Sequence, residues 1–353
     1  MTELRYEVLV SDGVARNRSQ RLPDGSPIVS SPLSSTLIFG ERDAVLVDPP
    51  FTRDQVQRVG DWLAHSGRRL AYIYATHGHG DHWFGTHLLM QRFPGAVAYA
   101  TEGTIRLMHT QATEGRKQLW DVDFPGLIPE SPVVYQAIPR DGFELEGHRM
   151  QAIETGHTDT DDTTVLHVPA IGLVVAGDVA YNGVHQYLLE SGGGGIEAWR
   201  QAIDKVAALR PRAVVAGHKN KDLPDDPAIL DETRAYLLDA QRLLADKPSP
   251  LEFYEQMLAG YPDRLNLGPL WYGARWDCSA DPANPRLPKL VNEGTSVCGP
   301  RRYALYGNAR GWGFTDPSSF TRMFKNADGM SPHEWRYQAT TRRSEPTGEF
   351  INQ

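Results

Sequence analysis

Thr76-His77-Gly78-His79-Gly80-Asp81-His82 is the stretch whose reading decides this chain. It places three histidines and an aspartate within six residues. No ordinary structural demand explains that density, because each such side chain needs a hydrogen-bond partner or water once it is buried. Metal binding does explain it. Imidazole nitrogens and carboxylate oxygens are the ligands of a borderline cation such as zinc, and His157, Asp178 and His218 follow farther along. Seven candidate ligands exceed what one tetrahedral ion needs, so the count predicts two ions.

The surroundings of these residues predict where they sit. Leu70-Ala-Tyr-Ile-Tyr-Ala75 precedes the first cluster, Leu173-Val-Val-Ala176 precedes Gly177-Asp178, and Ala213-Val-Val-Ala216 precedes Gly217-His218. Such short apolar runs, rich in β-branched residues, read as strands, so each ligand is expected where a strand ends in a loop. His157 lies in the polar segment Glu154-Thr-Gly-His-Thr158. Four loops would then converge on one pocket.

The ordered set resembles the metallo-β-lactamase superfamily, whose HxHxDH motif is followed by a lone His, a bridging Asp and a final His. The resemblance implies an α/β fold, an αββα sandwich. It implies that His77, His79 and His157 hold the first metal, that Asp81, His82 and His218 hold the second, and that Asp178 bridges them. Zinc is the expected metal, with Fe or Mn accepted by the same ligand types. Zinc lowers the pKa of bound water from 15.7 to about 7, so hydrolysis needs no Ser-His-Asp triad, and Asp81 is expected to accept or relay a proton. Position 178 narrows the branch: exported zinc β-lactamases of the best-known class use Cys at the second metal, whereas this chain is similar to the glyoxalase II-like and lactonase-like enzymes. Tyr181 matches a tyrosine that supports the substrate carbonyl in N-acyl homoserine lactonases. Asn182, His185 and Lys219 are further candidates for the pocket rim. A small-molecule lactone, thioester or ester is the implied substrate.

Composition agrees with a globular enzyme: 353 residues, 40% hydrophobic and 23% charged. The formal charge of −8 opposes general affinity for nucleic acid or an anionic membrane. The segment Met1-Thr-Glu-Leu-Arg-Tyr-Glu-Val-Leu-Val10 lacks the basic start and apolar run of a signal peptide, so a cytoplasmic location is expected. Cys278 and Cys298 lack CxxC spacing and are expected to be reduced.

Outward from the motif, Ser35-Thr-Leu-Ile-Phe39 and Ala44-Val-Leu-Val47 predict a hairpin ending at Asp48, a residue expected to support the metal loop from behind. Thr52 and Gln55 predict a capping box, with Val56, Val59, Trp62 and Leu63 as the buried stripe and Gly67 as the stop. Residues 102–119 read as one helix, residues 133–176 as several strands, and Ile196 to Leu209 and Ala228 to Asp246 as helices. Ser191-Gly-Gly-Gly-Gly195 reads as a candidate lid hinge beside Asp178.

These readings place a hydrolase domain at 1–272, a proline-bearing linker at 273–300 and a short helical extension at 301–353. Within the last, Gly313-Phe-Thr-Asp-Pro-Ser-Ser-Phe320 and Gly329-Met-Ser-Pro-His-Glu-Trp-Arg336 resemble the second helix-turn-helix of AraC-type regulators. From Val297 to Gln353 there are eight Lys and Arg against five Asp and Glu. The alternative expectation is therefore a transcription regulator that binds DNA through this segment.

Overall fold

The computed structural model describes residues 3–274. The linker, the two cysteines and the AraC-like extension lie outside the described residues. Two sheets form the centre. The first has the order β1 (Arg5–Ser11), β2 (Leu33–Phe39), β3 (Asp43–Val47), β4 (Arg69–Tyr74), β5 (Val97–Ala100) and β6 (Gln136–Ala137). It is antiparallel from β1 to β3 and parallel from β3 to β6. The second runs β11 (Ala213–Lys219), β10 (Leu173–Asn182), β9 (Thr163–Val168), β8 (His148–Gly156) and β7 (Phe143–Leu145), with only β10 and β11 parallel.

Period-two alternation builds three apolar layers from these strands. Ile38, Val45, Val47 and Tyr74 meet Leu166, Val168, Leu173, Val175 and Val215 between the sheets. Their alternate neighbours Leu37, Leu46 and Ile73 face outward under α1 (Arg53–Ser66) and α2 (Thr86–Arg92). On the other side Val174, Ala176, Val214 and Ala216 pack with Trp199, Ile203, Tyr236 and Leu237. Those four come from α5 (Gly195–Ala208) and α6 (Ile229–Ala245). Because both faces of the central strands are covered, their sequences read as continuous apolar runs. The order of layers is αββα, as expected.

The expected hairpin and capping box form as read: Thr52 Oγ1 accepts from Gln55 N, and Gly67 closes α1 with φ +67°. Trp62 departs from the expected stripe. It is only half-buried, with its indole N–H donating to Glu7 at 3.3 Å. The single helix expected at 102–119 is instead α3 (Glu102–Thr110) followed by a wider π-helical stretch, Gln111–Trp120, and a last turn, α4 (Asp121–Asp123). Trp120 there reaches back to Gln111 Oε1 at 2.6 Å and packs its ring against Phe51 and Phe84. Two further helices, α7 (Pro250–Gly260) and α8 (Leu267–Gly273), complete the described chain. Among the described residues no helix is long and apolar enough to cross a membrane.

Candidate metal centre

His77 and His79 follow the end of β4, and Asp81 and His82 lie in the 3₁₀ turn Gly80–His82 that comes next. Asp178 is not at a strand end, as the apolar run suggested, but inside β10. The register of β10 against β11 shifts between Val175 and Gly177 and again between Gly177 and Tyr181. A bulge of this kind re-aims a side chain without ending the strand. Gly177 has φ +50°, and a Cβ there would stand 2.3 Å from Thr76 Oγ1, so only glycine fits. His218 lies in β11, and its neighbour across the ladder is Tyr181.

Three overlapping groups of ligand atoms result, each within 4.8 Å: His77, His82 and Asp178; Asp81, His82 and His218; and His77, His79 and Asp159. Six of the seven expected ligands are thus brought together. His157 falls outside all three groups. Its Nδ1 lies 2.7 Å from Asp161 Oδ1, and its Nε2 is buried without a hydrogen bond. Asp159, not singled out by sequence reading, occupies the place beside His79. The run His157-Thr-Asp159-Thr-Asp161-Asp162 carried the signal, as three carboxylates close behind a candidate ligand.

Partners on the far side hold the imidazoles in place. His82 Nδ1 is 3.1 Å from Asp48 Oδ2, His218 Nδ1 is 2.9 Å from the Pro32 carbonyl, and His77 Nδ1 is 3.1 Å from Thr76 Oγ1. Each therefore turns Nε2 toward the cluster, an arrangement that fixes both ring orientation and tautomer. His79 is reversed: Nε2 faces Glu190 Oε1 at 3.1 Å and Nδ1 faces Asp159 Oδ2 at 2.9 Å. Asp48 supports the loop as expected, since its carboxylate also accepts from Thr76 N and Thr76 Oγ1 at 2.8 Å each.

The polar atoms facing inward lack partners. His77 Nε2, His82 Nε2, Asp159 Oδ2 and Asp178 Oδ1 are buried without a well-formed hydrogen bond. Without a cation this is an expensive arrangement, because buried polar groups are otherwise paired. It distorts the protonation behaviour of the ligands accordingly. Burial, with His82 nearby, pushes His77 down to about 3. Burial also opposes the charged form of His82, but Asp178, Asp81 and Asp48 outweigh it and lift His82 to about 10. The donor set fits one or more divalent ions replacing those protons.

The rest of the expected rim is committed elsewhere. Tyr181 is fully buried, and its hydroxyl donates to Asp178 Oδ2 at 2.6 Å instead of facing open space. Asn182 donates to the Pro224 carbonyl at 2.8 Å, His185 Nδ1 lies 3.1 Å from the Tyr236 hydroxyl, and Lys219 pairs with Asp225. Glu190, another residue missed from sequence, precedes the glycine run expected to be a hinge. Gly193 and Gly194 adopt φ +63° and +103° there, just before α5.

Residues 31–218, more than half of the chain, match the family described as the metallo-beta-lactamase superfamily. The chain belongs to that superfamily. Among solved structures, a metallo-beta-lactamase family protein from Thermus thermophilus aligns at 16% identity over 75% of this chain and 91% of its own, with a TM-score of 0.51. The DIM-1 metallo-beta-lactamase aligns at 18% identity over 67% and 98%, with a TM-score of 0.49. A metallo-beta-lactamase from Pontibacter korlensis aligns at 16% over 67% and 100%, with a TM-score of 0.48. No curated protein matches the chain. At these identities the first likeness speaks for the fold alone, and the chemistry has to be argued from this chain's own residues.

Proposed function

We propose that this chain is a dinuclear zinc hydrolase of the glyoxalase II-like or lactonase-like branch, acting on a small lactone, thioester or ester. The observation that carries the reading is the inward convergence of buried, unpartnered ligand atoms on His77, His82 and Asp178. His77 and His79 would hold the first ion, and Asp81, His82 and His218 the second. Asp178 would bridge them: it shares a cluster with His77 of the first set and His82 of the second, ligand atoms within 4.8 Å of one another, and its Oδ2 lies 3.2 Å from His218 Nε2. Fe or Mn fit the same donor types. Bound there, such ions supply Lewis acidity toward a carbonyl oxygen and acidify water to a pKa near neutrality.

The chain's own residues supply orientation and proton handling. Asp81 is the more open carboxylate, with its side chain 21% exposed and Oδ2 3.7 Å from His218 Nε2, so it can accept a proton at the mouth of the site. Tyr181 acts through Asp178, holding one carboxylate oxygen so that the other points at His82. Aspartate at position 178, in place of the cysteine of exported zinc β-lactamases, favours the hydrolases of small carbonyl metabolites over antibiotic cleavage. The activity is assigned to residues 1–272.

The test pairs metal content of the purified chain with turnover of acyl homoserine lactones, S-lactoylglutathione, simple esters and a phosphodiester. About two equivalents with turnover of one carbonyl class is expected, and His79→Ala or Asp178→Ala should remove metal and activity together. Undiminished turnover after complete removal of metal ends the proposal.

A further inference from the structure

The segment 12–32 that connects β1 to β2 brings two arginines onto one carboxylate. The Asp123 side chain, in α4, is fully buried; Arg16 Nη1 donates to its Oδ2 at 2.7 Å, and Arg18 Nε pairs with its Oδ1. One guanidinium can neutralise one carboxylate, so the group keeps a surplus positive charge in a chain whose formal charge is −8. Arg16 is also fixed in place. Its backbone N donates to the Ile28 carbonyl at 2.9 Å, Asn17 N donates to the Asp123 carbonyl at 2.7 Å, and the guanidinium lies 5.7 Å from the Phe124 ring centre and 4.9 Å from that of Tyr272.

A clasp that only neutralised Asp123 would leave no donor over, yet two remain. Arg16 Nε and the Tyr272 hydroxyl are buried without a well-formed hydrogen bond. Donors enclosed beside a surplus positive charge call for an anionic acceptor. The Arg16 side chain keeps 18% of its surface exposed, so the place can be reached from solvent. Tyr187 connects it with the metal centre. The Tyr187 ring meets His79 edge to face, with centroids 6.0 Å apart. Its hydroxyl is within electrostatic reach of Glu190 and Asp159, which flank His79, and equally of Arg16 and Tyr272. Tyr187 is only half-buried, as a side chain lining a cleft between the two places would be.

We propose that Arg16, with the hydroxyls of Tyr272 and Tyr187, binds a carboxylate carried by the substrate away from its scissile carbonyl, so that this chain selects anionic esters, thioesters or lactones. The inference rests on the hydrolase reading above and selects within it. A single surplus charge matches a monoanionic carboxylate better than a phosphate dianion, and the planar guanidinium fits the two carboxylate oxygens. Arg18 continues to neutralise Asp123 while Arg16 serves the ligand. Because the backbone contacts and the two aromatic rings already hold Arg16, little side-chain freedom is lost when the anion binds.

The full chain, loaded with Zn²⁺ and freed of excess metal, is tested with monothiophenyl esters of the dicarboxylic acids from adipic to sebacic, each against its terminal carboxamide. At the best-fitting length kcat/KM should favour the acid by about 10- to 100-fold, the gain of a charge-assisted hydrogen bond. Arg16→Met should bring that ratio to about one. Tyr272→Phe, which leaves the pairing of Arg16 with Asp123 intact, should cut it by about threefold or more. Calorimetric titration with the matching thioethers, which have no scissile carbonyl, reads the same preference without turnover. A wild type that treats acid and carboxamide alike at every length, or a wild-type ratio in either folded variant, overturns the subsite. Acid-selective binding of the thioethers with no turnover of any thioester keeps the Arg16 subsite and overturns the hydrolase reading instead.

Discussion

Tyr181 donates its hydroxyl to Asp178 Oδ2 across 2.6 Å, and both side chains are buried. They stand three residues apart on one strand, a spacing that in a regular strand would send them to opposite faces. The register shift between Gly177 and Tyr181 cancels that alternation and brings the two together. Tyr181→Phe should therefore cost about 1–2 kcal/mol of stability, the usual loss for an unmade buried hydrogen bond, as read by urea unfolding. It should also weaken metal binding by about 10- to 100-fold in chelator competition. If the hydroxyl served the substrate instead, metal affinity would stay unchanged and only kcat/KM would fall.

Asp48 makes a second test of support from behind the ligands. It sits at φ +53°, accepts from Thr76 N and Oγ1, and faces His82 Nδ1. Asn tolerates that backbone and keeps an acceptor, whereas Ala does neither. Asp48→Ala should destabilise the chain by about 1–3 kcal/mol through the orphaned Thr76 groups. Asp48→Asn should fold nearly as well yet release the second-site metal about 10- to 100-fold more readily. Equal metal affinity in Asp48→Asn and wild type would show that His82 needs no carboxylate behind it.

The alternation of Leu37, Ile38 and Phe39, the Thr52–Gln55 box and the order His77, His79, Asp81, His82, Asp178, His218 were legible because each rests on local spacing. Period two, the capping geometry and the ligand preferences of a cation act over a few residues or on residue type alone. What escaped depends on distant chain. Asp159 and Glu190 matter because they flank one ring of His79, and nothing in their own neighbourhoods announces that meeting. The bulge at Gly177 is forced by the close approach of Thr76, about a hundred residues earlier, a contact the sequence does not display. His185 and Lys219 looked like rim residues by proximity to Asp178 and His218, but Tyr236 and Asp225 claim them.

His185 gives the chain a dependence on acid separate from the metal ligands. It is fully buried, and burial, assisted by the charge of Arg264, pushes it from its ordinary 6.5 down to about 4. The folded state thus prefers the neutral ring. Its contribution is complete above pH 6.5 and is lost as pH falls from 6.5 toward 4, because the unfolded chain takes up the proton first. The full loss is about 3 kcal/mol. In metal-free protein, urea unfolding between pH 7 and pH 4 should show a shallower decline for His185→Phe than for wild type, even though the variant starts less stable. Parallel declines would mean that His185 does not titrate over this range.

Gly217 separates the fold from the metal site most directly. It immediately precedes His218 in β11, where a Cβ would stand 2.3 Å from Asp178 Oδ1, 2.9 Å from the Gly177 carbonyl carbon and 3.0 Å from His82 Cε1. Those distances leave no room for a methyl group, and two of the three atoms belong to the proposed metal ligands Asp178 and His82. Strand backbone at this position is otherwise compatible with alanine, since Gly217 has no positive φ. Gly217→Ala should consequently keep its secondary structure by circular dichroism, with a stability loss of about 1–3 kcal/mol from overpacking. The methyl group has to displace Asp178 Oδ1 from its line toward His82, so both metal content and turnover should drop together. Wild-type metal content in a folded Gly217→Ala chain would mean that Asp178 can be moved without loss, and the bridging role proposed for its carboxylate would fall with that result.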